Sequence, residues 1–191
     1  GCHAAQPDKG VDPIVTTSAV ISALQSIASR NVDPVEQVVV SVCSIESSSK
    51  AYNVIPNSVT LRGTIRSMSK ETRVLAETRL KAIATATCEA FGAKAEIRWI
   101  DGYPTMVNSE AQTEFAAEVA TEVAGACDHA GIFMGGEDFA YMLEERPGAY
   151  ILVGNGPSSS LHAADYNFND EAIPAGCSWW AGLAERRMPA A

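Results

Sequence analysis

The chain has 191 residues, 47% hydrophobic and 19% charged, a balance that suits a globular protein able to bury a sizeable core. The 14 Lys and Arg are scattered among 23 Asp and Glu, for a formal charge of -9, which excludes a nucleic-acid surface. No apolar run approaches the ~20 residues that cross a bilayer, and Gly1 to Pro7 lacks a signal-peptide layout, so no membrane partner is expected.

Asp12-Pro13 offers an N-cap followed by a first-turn proline, and Ile14, Val20, Ile21, Leu24, Ile27 and Ala28 recur at helical spacing. This predicts a helix over Pro13 to Ser29. Gln37 to Ile45 is valine-rich and reads as a strand that ends at Ser47-Ser48-Ser49. Ser58 to Arg66 alternates, with Val59, Leu61, Gly63 and Ile65 on one face and Thr60, Arg62, Thr64 and Arg66 on the polar other. A long helix follows Ser69, with Leu80, Ile83, Thr87 and Phe91 on one stripe, and stops at Gly92. Ala93 to Ile100 reads as a further strand.

Helix, strand, strand, helix, strand lacks only a leading strand, expected just before Gly1, to make the split βαβ pattern of an open-faced, ferredoxin-like α/β sandwich. Asp101-Gly102-Tyr103-Pro104 interrupts the pattern, and the first domain is expected to be residues 1–102 and the second 103–191. In the second, Ser109 to Gln112 reads as a capping box before a helix carrying Phe115, Val119 and Val123. Glu137-Asp138 opens a short helix, Ala149 to Val153 reads as a buried strand, and Asn169-Asp170-Glu171 starts a last helix with Trp180, Leu183 and Ala184 inward. These elements are too few to cover both faces of a sheet.

Five cysteines, an odd number without a CxxC pair, point to free thiols in a reducing, cytoplasmic setting. Cys2 beside His3 suggests a thiol nucleophile or ligand, but neighbours in an extended strand face opposite ways. His162 follows a Gly- and Ser-rich loop beyond the end of an expected strand, where open α/β sheets place ligands; taken alone it reads more readily as a surface or packing histidine. Gly135-Gly136 can bring backbone N–H groups close to a substrate, while Glu137-Asp138 reads either as a site or as helix capping. Asn53 and Arg66 suit a carboxylate, an amide donor beside a bidentate fork, although a strand arginine is often only solvated.

Together, Gly1 to Pro7, Gly10 to Pro13, Tyr52-Asn53-Val54-Ile55-Pro56, Gly63 to Arg66, Met134 to Phe139, and Leu161-His162 with Phe168-Asn169-Asp170 resemble the aminoacylase/hippurate hydrolase family of metal-dependent amidohydrolases, relatives of carboxypeptidases and indole-acetyl-amino-acid hydrolases. The resemblance covers essentially the whole chain. It implies a lid, often also the homodimer surface, in residues 1–102 and the C-terminal part of a metallohydrolase α/β catalytic domain in 103–191. It also implies a divalent metal pair, Zn, Mn or similar, and an N-acyl amino acid as substrate, cleaved by a metal-activated water with a glutamate as proton shuttle.

By position, the resemblance makes His162 a metal ligand, His3 the lid histidine that steadies the oxyanion, Asn53 and Arg66 substrate contacts, and Glu137 a residue of the pocket. Cys2 stands where the family usually has glycine, and Ala163-Ala164-Asp165 replaces its usual His- or Asn-Pro. The family's other ligands and its general-base glutamate have no match here. The chain alone is therefore expected to be inactive, part of a longer parent; the competing reading is a non-catalytic dimerisation or regulatory module of the same fold.

Overall fold

A computed structural model describes residues 1–188, which group into two compact units, Gly1–Thr105 with Met134–Gly136, and Met106–Phe133 with Glu137 onward. In the first unit, Asp12 caps helix α1 (Pro13–Leu24) by accepting from the N–H groups of Ile14 and Val15 at 2.8 and 3.3 Å. α1 stops five residues short of the expected end and gives way to a π-helical turn at Ile27–Asn31. Thr16, Val20, Leu24 and Ile27 are buried, whereas Ile14 and Ala28, expected on the inner stripe, face solvent.

Strands β2 (Val38–Ser47) and β4 (Val59–Ser67) form an antiparallel ladder from Val38 opposite Ser67 to Ser47 opposite Val59. Cys43 is the extra residue of a bulge between Val42 and Ser44. Beside it, Gly63 lets the strands close in: a Cβ there would lie 2.2 Å from the Ser41 carbonyl oxygen. Helix α2 (Lys70–Ala90) starts at Ser69, whose Oγ accepts from the Thr72 N–H at 3.1 Å, and ends before Gly92 at a φ of +72°.

α1 and α2 pack on each other and on the inner face of the ladder, so Val20, Leu24, Ile27, Ala76 and Ala84 meet Val40, Leu61 and Ile65 in one core. Phe91, expected inward, is 45% exposed. The opposite face, with Val39 across from Arg66, is open, as an open-faced α/β sandwich requires. β1 (Cys2–His3) and β3 (Val54–Ile55) form a separate short antiparallel pair. The expected strand Ala93 to Ile100 is irregular, because no neighbouring strand pairs with its backbone and an extended segment without a ladder is not a strand.

In the second unit, helix α3 (Glu110–Ala124) packs against α5 (Ala172–Arg187) through Ala116, Val119, Ala120 and Trp179. The capping box does not form. Ser109 Oγ accepts from the Gly148 N–H at 3.3 Å instead, tying the helix start to a distant loop. The inward tryptophan of α5 is Trp179, 7% exposed, not Trp180 at 65%; Ala184 also faces out. The indole fixes this choice, since Trp179 Nε1 donates to the buried Ala116 carbonyl at 3.0 Å.

Ala149 to Val153 is half-buried in its first residues but is not a strand. Tyr150's N–H and C=O pair with the Asn108 side-chain amide, at 2.8 and 2.9 Å, which satisfies them as a ladder would. Short helix α4 is Phe139–Glu145. Among the described residues no helix is long and apolar enough to cross a membrane.

Candidate functional site

His3 and Asn53 come together because β1 pairs with β3. His3 lies across from Val54, and the Asn53 carbonyl accepts from the Ala4 N–H at 3.0 Å. His3 Nδ1 accepts from the Ala5 N–H at 3.1 Å. With Nδ1 an acceptor, the proton of a neutral imidazole resides on Nε2, which becomes a donor. The ring borders an open cleft of about 430 Å³, together with Cys2, Ser48, Ser49, Ile55 and Asn57. His3 and Asn53 are exposed.

Arg66 stands on the open face of β4, half-buried, with its backbone held opposite Val39. Its guanidinium reaches the Met134–Gly136 segment, which belongs to the same unit, and lies against Gly136. The neighbouring Arg62 is paired instead with Glu46 at 2.7 Å. The polar face of β4 thus carries one arginine occupied by a carboxylate and one seated on a glycine.

Glu137 and His162 belong to the second unit. Glu137 is half-buried and stands beside the Tyr150 hydroxyl; burial first, then the charge and hydrogen bonding of Glu137 and the charge of Asp138, push the Tyr150 phenol above its ordinary range. Asp138 makes no capping hydrogen bond to α4, so the pair's favourable interaction with the helix start is left to the dipole. Tyr150 is not apparent from the sequence because it sits in an apolar run, Ala149 to Val153, that reads as core; its place beside Glu137 has no sequence signal.

His162 is exposed at a φ of +67°, a left-handed conformation that a non-glycine residue adopts at a cost. The surrounding loop over-determines that turn. Ala163 N–H donates to the Ser160 carbonyl at 3.0 Å, Asn155 bridges to the Asn167 carbonyl and the Asn169 N–H at 2.9 and 2.7 Å, and Ser159 Oγ donates to Asp165 at 2.6 Å. That hydroxyl, followed by a backbone hydrogen bond, holds Asp165 below its ordinary range. Ala163-Ala164-Asp165, the departure seen in the sequence, is therefore part of a hydrogen-bonded turn.

Among the described residues no three His, Cys, Asp or Glu side chains gather into a group able to hold a metal ion. One imidazole at 162 does not by itself make a metal site. These residues consequently do not fit a complete metal centre.

Residues 1–186 match the peptidase family M20/M25/M40. The chain belongs to this family. The resemblance carried by the glycine, histidine and arginine motifs is thereby borne out, as is the α/β fold class. Similar proteins include a hippurate hydrolase of Campylobacter jejuni, 35% identical over 96% of this chain and 49% of its own length. An N-acetylcysteine deacetylase of Bacillus subtilis is 31% identical over 96% of this chain and 48% of its own. Among solved structures, a dinuclear metal-binding peptidase of the M20 family from Bacillus subtilis superposes with a TM-score of 0.65 at 28% identity, over 93% of this chain and 46% of that one. The chain thus spans about half the length of the relatives it matches.

Proposed function

We propose that these 191 residues serve a metal-dependent amidohydrolase that cleaves the amide bond of N-acyl amino acids, with further residues outside them completing the site. The observation that carries this reading is the match, over nearly the whole chain, to relatives named for hippurate and N-acetylcysteine, both N-acyl amino acids. Residues 1–102 act as the lid and 103–191 as the closing part of the catalytic domain.

Within that enzyme Arg66 binds the substrate carboxylate with its planar fork, and Asn53 donates its amide to the substrate. His3 presents Nε2–H to the oxyanion that forms as the amide carbonyl is attacked, a role that suits an imidazole whose Nδ1 is already engaged by Ala5. Glu137, beside Tyr150, is a residue of the pocket. His162 supplies a neutral imidazole to a pair of divalent ions, and the strained turn at φ +67° supports a built role for it.

Alone, the chain neither holds a metal pair nor hydrolyses amides, in keeping with the lack of a three-ligand group among the described residues. That same lack favours a second reading, a non-catalytic dimerisation or regulatory module. Exposed Ile14, Val15 and Val74 support homodimerisation through the first unit, and five unpaired cysteines support a cytoplasmic location. Metal content and hydrolysis of an N-acyl amino acid panel, by the chain and by the longer polypeptide that contains it, test the proposal. Turnover by the chain alone would overturn the first claim; a longer polypeptide inert with Zn and Mn on every substrate would favour the module.

A further inference from the structure

We propose that Gly136 is a positioning residue for Arg66: the missing side chain at 136 forms the seat of the guanidinium, and through it sets the preference for substrates with a free carboxylate. The inference rests on the reading of Arg66 as the carboxylate clamp. A Cβ at position 136 would lie 2.1 Å from Arg66 Nη1, 3.2 Å from Cζ and 3.4 Å from Tyr103 Cδ2. Real Cβ atoms do not approach a nitrogen so closely, so any side chain at 136 must displace something.

What moves is decided by stiffness. The Arg66 backbone is fixed in the β4 ladder opposite Val39, and the crowded atom is the far end of a flexible side chain. Gly136 itself is not among the glycines with positive φ, so alanine there meets no backbone strain. The lesion of Gly136→Ala therefore falls on the guanidinium and spares the fold. This is not general to the chain's glycines, since at Gly102, Gly154 and Gly176 a Cβ would have nothing within 4 Å.

A bidentate fork binds a carboxylate only when its plane is correctly placed, so a displaced guanidinium loses affinity without losing charge. Gly136 thereby bears on specificity through the placement of Arg66.

Two measurements test this. The first is the Arg66 Nε–Hε resonance of the 191-residue chain, which is expected to shift in Gly136→Ala while the unfolding transition stays put; an unchanged resonance overturns the inference whatever Arg66 binds. The second compares KM for an N-acyl amino acid and for its carboxamide in the metal-loaded longer polypeptide. Gly136→Ala is expected to raise KM for the carboxylate about 10- to 100-fold with kcat nearly unchanged, to spare the amide, and to add nothing in an Arg66→Ala background. Equal losses on both substrates, or additivity with Arg66→Ala, overturn it. If the resonance moves but Arg66→Ala keeps the carboxylate preference, the clamp reading has failed and the specificity role falls with it.

Discussion

Removing the Trp179 indole should cost far more than removing its neighbour's, although the two residues are adjacent and chemically identical. Trp179 is 7% exposed, packs into Ala116, Val119 and Ala120, and donates Nε1–H to the Ala116 carbonyl at 3.0 Å. A tryptophan buries ~200 Å², which at about 25 cal/mol per Å² is about 5 kcal/mol. Alanine keeps little of that, so Trp179→Ala should lose about 3 to 5 kcal/mol. Trp179→Phe retains most of the area and should lose about 1 kcal/mol for the hydrogen bond plus a smaller packing loss.

Trp180, 65% exposed, meets Trp179 edge-on with centroids 4.9 Å apart, and Trp180→Ala should cost about 1 kcal/mol or less. Urea unfolding followed by circular dichroism, at constant m-value, gives each difference directly. If Trp180→Ala destabilises as much as Trp179→Ala, the assignment of the inward face of α5 is wrong.

Asp12→Ala removes the acceptor of two N-terminal N–H groups of α1 and should cost about 1 kcal/mol in the same assay, with Asp12→Asn nearly neutral; equal losses would show that the charge, not the cap, matters. His162→Gly should leave stability unchanged or raise it by up to about 1 kcal/mol, because glycine adopts φ +67° freely and the imidazole is exposed. A clear destabilisation would mean that the ring holds the loop together. The folded state raises the Tyr150 phenol above its ordinary value of 10.0, so its contribution to stability is complete below about pH 10 and is lost as pH climbs through the raised value. Unfolding free energy should fall in that alkaline window and fall less in Tyr150→Phe; identical slopes would refute the raised phenol.

The sequence resolved what depends on local chemistry. Asp12-Pro13, Ser69 and Gly92 mark real helix ends, and the alternation of Ser58 to Arg66 marks a real strand with Arg66 on its open face. It failed where an element needs a partner. Ala93 to Ile100 and Ala149 to Val153 have strand-like composition but no paired neighbour, and an asparagine side chain serves Tyr150 instead. Trp179 and Trp180 are both apolar, so only the acceptor at Ala116, 63 residues away, decides which turns inward. The seat of Arg66 on Gly136 was similarly illegible, because it depends on the absence of an atom rather than on the presence of a side chain.

We propose that this chain serves the hydrolysis of N-acyl amino acids, with His162 among the metal ligands. Free amino acid released from hippurate and N-acetylcysteine by the longer polypeptide, measured with and without Zn or Mn and with His162→Ala, tests it most directly. Release is expected to require the metal, to disappear in His162→Ala together with part of the bound metal, and to be absent with the 191 residues alone. Undiminished, metal-dependent release by His162→Ala would contradict it.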